Sequence, residues 1–265
     1  MHASIQLELG LAVQLGTLSW LGFVPDDVAS VPPTAVARLA EQLRLHPGAL
    51  QGYGRRDHTR TDHLKLVVKY LGWKTTAPGS QALKELTQFL LDRAMEHDSP
   101  TLLFNLAREY LMSAHVVRPG PTVLAKMVGE ARTGATALTT EPLGHLLTEE
   151  VRADLERLLI VDVGLGMTRL EWLRQGAREA TASAVKTSID KLLWLRAIDA
   201  HTVDLSALPN ERRRFLATVA RRSTNQALDR REERKYPILL AFVAQAAIDQ
   251  LDEVVALFDQ ARVRA

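Results

Sequence analysis

The residues best placed for chemistry in this sequence are basic, and they fall into two stretches. The first holds Arg55, Arg56, Arg60, Lys65 and Lys69; the second holds Arg212, Arg213, Arg214, Arg221, Arg222, Arg230, Arg231, Arg234 and Lys235. Side chains of this type bind phosphate, and arginine adds a planar fork that bonds two acceptors at once. The formal net charge of +2 hides how unevenly the charge is distributed. Residues 55–74 carry six Lys or Arg against two Asp, residues 169–196 six against three acids, and residues 211–235 nine against four. A basic face kept soluble by acidic surroundings is the electrostatic footprint of a polyanion-binding protein.

Other chemistries find less support. With no cysteine there is no disulfide framework, thiolate zinc site or cysteine nucleophile. Gly164-Leu165-Gly166 lacks the third glycine and the βαβ context of a dinucleotide loop and reads as a plain loop. His58 and His63 are five apart, off the i, i+4 spacing of ligands on one helix face, so no metal site is expected. Glu149 and Glu150 fit a helix start, where the macrodipole accounts for them. No nucleophile, base and orienting group assemble from local spacing, and neither a catalytic residue nor a cofactor is expected.

These basic residues must be positioned by helices. Val36, Leu39, Ala40 and Leu43 recur with helical period behind Pro32-Pro33. Leu64, Val67, Val68 and Leu71 form a stripe that ends at Gly72, a favoured C-cap residue, and Lys65 and Lys69 share a face beside it. Ser99-Pro100 is an N-cap followed by a first-turn proline, and Thr168 and Glu171 have capping-box spacing. Val185, Ile189, Leu192 and Leu193 mark another helix, and 236–258 is a long apolar run without Gly or an internal break beyond Pro237. Arg212, Arg213 and Arg214 open a helix that Arg221 and Arg222 close. The only strand candidate, 159–163, is short. The fold expected is all-α and multi-helical, in two helical modules with helix-turn-helix-like elements for DNA. The turn Arg118-Pro119-Gly120-Pro121 divides them into 1–118 and 119–265. No run approaches the ~20 apolar residues of a membrane span, and no signal segment is evident, so a cytoplasmic protein without membrane contact is expected.

Five blocks, in order, carry a family resemblance: Leu11-Ala12-Val13-Gln14-Leu15; Tyr53-Gly54-Arg55-Arg56-Asp57-His58-Thr59-Arg60-Thr61-Asp62-His63-Leu64; Tyr70-Leu71-Gly72-Trp73; Leu170-Glu171-Trp172-Leu173-Arg174; and REERKYPILL at 231–240. Together they resemble the N-terminal region of the Tn-three family of replicative transposases (the TnpA type). The resemblance implies a bacterial, nucleoid-associated helical region that recognises the terminal inverted repeats of a transposon as double-stranded DNA. It also implies that the Asp-Asp-Glu catalytic domain lies elsewhere in the family's polypeptide, so no enzymatic activity is expected of this chain. Only ten residues precede the first block, and the chain reads as a shortened N-terminal region without the catalytic domain. A competing expectation is a helical protein–protein module that dimerises with itself or with a full-length transposase. A metal-dependent nuclease ranks last, since no residues align with the family's catalytic carboxylates.

Overall fold

The computed structural model describes residues 2–53, 57–177, 179 and 181–264. Among them are twelve α-helices: α1 (His2–Leu21), α2 (Pro33–Leu43), α3 (Asp57–Leu71), α4 (Gln81–Glu96), α5 (Pro100–Ser113), α6 (Pro121–Leu143), α7 (Glu149–Arg157), α8 (Arg169–Arg174), α9 (Ala182–Arg196), α10 (Asn210–Arg222), α11 (Asn225–Asp229) and α12 (Lys235–Arg264). The strand content among the described residues is one short antiparallel hairpin, β1 (Val161–Asp162) with β2 (Met167–Thr168). Gly164-Leu165-Gly166 forms its turn: Asp162 Oδ1 accepts from the Gly164 and Leu165 amides, and Gly166 takes a left-handed φ of 66°. The architecture is all-α, as the 3.6-residue period predicts. No helix among the described residues is long and apolar enough to cross a membrane.

Local chemistry sets many of the boundaries. Ser80, Ser99, Thr148, Thr181 and Thr224 each accept from the amide three residues on, satisfying a donor that the first helical turn leaves open. Thr168 and Glu171 make the expected reciprocal capping box at the start of α8. Gly72, at φ 68°, ends α3 as a left-handed cap while the Trp73 amide bonds back to the Val68 carbonyl.

Residues 1–132 and 133–265 form two compact units, so the division falls inside α6; the sequence-based division stands at 118/119, just before Pro121 opens that helix. In the first unit α1 is the common partner of α2, α3 and a 3-10 helix at Pro47–Gly52. Leu9 and Val13 of α1 pack with Val36, Ala40 and Leu50, and one turn further on Leu18 packs with Val67 and Trp73. The α2–α3 connection contains that 3-10 helix, so the pair lacks the compact turn of a helix-turn-helix. In the second unit α12 is the hub, packing against α7, α9 and α10. From Ile238 to Val243 it is buried on every side, which is what a helix apolar all round requires. Its later half exposes Ile248, Leu251, Val255 and Phe258. The face that α9 buries differs from the apolar one expected: Ser188, Lys191 and Leu195 are buried, and Leu193 is exposed. The polar pair turns inward because Ser188 donates to Glu253 of α12 and Lys191 donates to the Gln175 carbonyl.

Candidate nucleic-acid interface

In the first unit the site is built on Tyr53. Its ring lies against α1 where residue 10 is glycine; a Cβ there would come within 2.1 Å of the ring carbons. Fully buried Gln14 donates from Nε2 both to Tyr53 Oη at 3.0 Å and to the Arg60 carbonyl at 3.1 Å. A carbonyl only accepts, so the amide must present its nitrogen to this side. Tyr53 Oη therefore accepts from Gln14, and it donates to His63 Nδ1, 2.8 Å away, when that ring is the neutral Nε2–H tautomer. Burial pushes the Tyr53 phenol up to about 12, partly offset by the charge on Arg60. Burial also holds the His63 imidazole below its ordinary value, against the opposing pull of Asp62. His63 is thus a neutral hydrogen-bonding ring, and no three His, Cys, Asp or Glu side chains among the described residues gather as a metal site.

This triad fixes the start of α3 on α1, and α3 then carries the basic residues. Arg55 and Arg56 lie outside the described residues. Arg60 is held by Asp26, through the carboxylate at 3.0 Å and through the backbone carbonyl. Lys65 and Lys69 are exposed one turn apart, and Lys65 pairs with the likewise exposed Asp62, at 3.2 Å, a pairing of little energetic weight. Two apolar residues accompany them: Leu66 is 57 % and Tyr70 79 % exposed. The exposed face of α3 therefore alternates lysine with apolar surface. The sequence reading did not assign Leu66 and Tyr70 to this face, although their offset from the Leu64/Val67/Val68/Leu71 stripe signals it.

The second unit divides its basic residues into two groups. Arg214 and Arg222, on the solvent side of α10, are exposed, as are Arg230, Arg231 and Arg234 beyond it. Arg213 donates to Asn210, and Arg221 pairs with Asp249 of α12. Two residues expected to contact DNA are buried instead. Arg212 is 6 % exposed; its Nε donates to Thr139 Oγ1 at 2.7 Å and Nη2 reaches the Ala135 carbonyl of α6. Lys235, 7 % exposed, sits 2.8 Å from Glu156 and 3.0 Å from Asp229. Burial pulls its pKa down, but the bonds to those two carboxylates outweigh this and hold the ammonium above its ordinary value. Both cations serve the core, so they are removed from the set of DNA contacts. The 169–196 window is also largely internal. Arg169 pairs with Asp162 and lies over the rings of Trp172 and Trp194. Arg174 donates to the carbonyls of Ala220 and Ser223, where a cation suits the C-terminal end of α10. Lys186 and Arg196 remain exposed.

Residues 2–131 match a family model described as Domain of unknown function (DUF4158). The transposase for transposon gamma-delta of Escherichia coli (strain K12) is 30% identical over 257 residues, covering 95% of this chain and 25% of that protein. This chain is similar to bacterial transposases. The transposase for transposon Tn501 of Pseudomonas aeruginosa is 29% identical, covering 97% of the chain, and that for transposon Tn1546 of Enterococcus faecium 25% identical, covering 96%. Each of these two is matched over 26% of its own length. The chain thus spans about a quarter of the length of the curated relatives it matches. The transposase likeness runs through both compact units, because the matched regions cover nearly all of the chain.

Proposed function

We propose that this chain binds double-stranded DNA in transposition, recognising transposon terminal inverted repeats as the N-terminal region of a replicative transposase of the Tn-three family. The observation that carries the reading is the solvent face of α3, where Lys65 and Lys69 alternate with Leu66 and Tyr70 on a helix anchored by Tyr53. The lysines suit phosphate, and the apolar side chains suit thymine methyls and sugar edges. Arg55 and Arg56, which lie outside the described residues and precede α3 in sequence, are further DNA contacts in this reading. Arg214, Arg222, Arg230, Arg231 and Arg234 form a second contact surface, with Arg213 and Arg221 available by exchanging their present partners for phosphate. Two separate basic surfaces let one chain follow an extended repeat. Strand-transfer chemistry is assigned to no residue of this chain.

The test is fluorescence anisotropy with a transposon-end duplex and a scrambled duplex of equal length across a salt series. Preference for the end sequence, with a log–log salt slope near about −5 for roughly six phosphate contacts, is the expected result. Absence of binding at ~100 mM salt by a folded chain overturns the reading. A second reading, a helical protein–protein module, is favoured by the apolar residues that α12 exposes at Ile248, Leu251, Val255 and Phe258. Light scattering on the pure chain separates the two: a monomer that binds DNA removes the need for the second.

A further inference from the structure

Where α1 ends, the first unit brings the segments carrying Lys74, Arg108 and Arg118 to one place. His115, at a left-handed φ of 51°, closes α5 and turns the chain alongside the residues that follow α3. The Lys74 amide donates to the His115 carbonyl at 2.8 Å, and the Val117 amide donates to the Lys74 carbonyl at 2.8 Å. Arg118 comes next and is tied to the end of α1. Its amide donates to the Gly22 carbonyl at 2.7 Å, and its guanidinium carbon lies 4.2 Å from the centroid of the Phe23 ring. The last turn of α5 reaches the same point, since a Cβ at Gly22 would lie 3.3 Å from Met112 Sδ. Arg108 stands one turn before Met112 on that face of α5.

These cations differ from others of the unit in what surrounds them. Arg60 has Asp26, Arg93 has Glu96 and Arg132 has Asp98. Lys74, Arg108 and Arg118 form no ion pair with any described residue, and Arg108 meets only Asn105, at 3.5 Å. Lys74 and Arg108 are exposed, and Arg118 is half-buried against Phe23. Burial, and after it the charge of Arg108, hold the Arg118 guanidinium below its ordinary value. A partly desolvated cation beside a like charge, with no carboxylate to balance it, is held at a disadvantage that a bound anion removes. Stacking on Phe23 already orders the guanidinium, so less side-chain freedom is lost when that anion arrives.

We propose that Arg118, with Arg108 and Lys74 beside it, is a further phosphate-contact surface for the DNA backbone. The proposal rests on the DNA-binding reading above and adds contacts that lie beyond the last turn of α3. Lys74 stands two residues past the Gly72 cap, so the patch continues in sequence from the helix that carries Lys65 and Lys69. The repeating phosphates of a duplex suit it, because cations on separate chain segments can each meet a different one. Such contacts position the duplex and carry no sequence information.

The experiment uses the full chain, a transposon-end duplex and a scrambled duplex of equal length, followed by anisotropy across a salt series. Arg108→Gln with Arg118→Gln is expected to weaken binding of both duplexes about tenfold at ~100 mM salt. The log–log salt slope should flatten by about 0.9 per lost phosphate contact, and adding Lys74→Gln should flatten it again. Arg108→Gln alone guards against a folding defect. It removes a like charge, so the melting temperature at low salt is expected to hold or rise while affinity still falls. A structural role gives the opposite, a lower melting temperature with an unchanged slope, and overturns the proposal. Unchanged affinity and slope in every variant also overturns it and leaves the DNA reading of α3 standing. Weakening confined to the transposon-end duplex overturns it too, because that is base reading. If the unmodified chain binds neither duplex, the DNA reading falls and the proposal falls with it.

Discussion

Tyr53 Oη accepts from the Gln14 amide and lies 2.8 Å from His63 Nδ1, to which it donates when His63 is the neutral Nε2–H tautomer. Burial, which holds the imidazole below its ordinary value, favours that neutral ring. A protonated imidazole would point a second donor at Tyr53 and break the chain. The unfolded chain, whose histidine titrates near 6.5, takes up a proton first as pH falls, so stability from this ring is complete above that value and lost below it. Urea unfolding at pH 7.5 and at pH 5.5 is expected to show this loss, and His63→Gln to reduce it.

Tyr53→Phe keeps the ring and removes the hydroxyl, leaving Gln14 Nε2 and His63 Nδ1 each short of a partner. The expected destabilisation is about 1–3 kcal/mol in urea unfolding, the usual cost of an unmade buried hydrogen bond. DNA affinity is expected to fall with it, because the start of α3 loses its anchor.

Gly10→Ala tests the same contact from the other side. The added methyl meets the Tyr53 ring at 2.1 Å, so α1 and the ring must separate. Overpacking of this kind costs about 1–3 kcal/mol. Tyr53→Ala in the same chain is expected to relieve much of that cost in a double-mutant cycle.

Charge changes on the two surfaces are expected to act differently from charge changes in the core. Lys65→Glu with Lys69→Glu, or Arg214→Glu with Arg222→Glu, should weaken DNA binding and flatten the salt slope by about 0.9 per lost phosphate contact, with melting temperature nearly unchanged. Arg212→Met and Lys235→Met should do the reverse. Each leaves oxygen partners unmatched, lowering stability by about 1–3 kcal/mol, while the salt slope stays put.

What could be read from the sequence was what a few neighbouring residues decide. Ser99 and Pro100 start α5, Thr168 and Glu171 start α8, and Gly72 ends α3, because the donor and acceptor lie within one turn of each other. The fates of individual cations were not legible. Arg212 looks like its neighbours Arg213 and Arg214 until Thr139, on a helix far earlier in the chain, is brought to 2.7 Å from it. Lys235 meets Glu156 in the same way, and Gln14 meets Tyr53 only because Gly10 lets the ring approach. Tyr70 could have been placed on the exposed face of α3 by counting turns from Leu64. Assigning a partner to a long polar side chain needs the tertiary fold.

The uneven burial of α12 has a consequence for how the second unit breathes. It packs against α7, α9 and α10 and is fully buried from Ile238 to Val243, while the stretch from Ile248 to Phe258 turns one side to solvent. Amide protons around Leu239 to Val243 can exchange only when the unit opens as a whole, whereas those after Leu257 need only a local opening at the end of one helix. Deuterium uptake along this single helix should therefore climb from the slowest exchange in the unit to fast exchange within about four turns. The buried stretch and its neighbours act as the unit's last surviving cooperative core, and the far end can loosen without disturbing it.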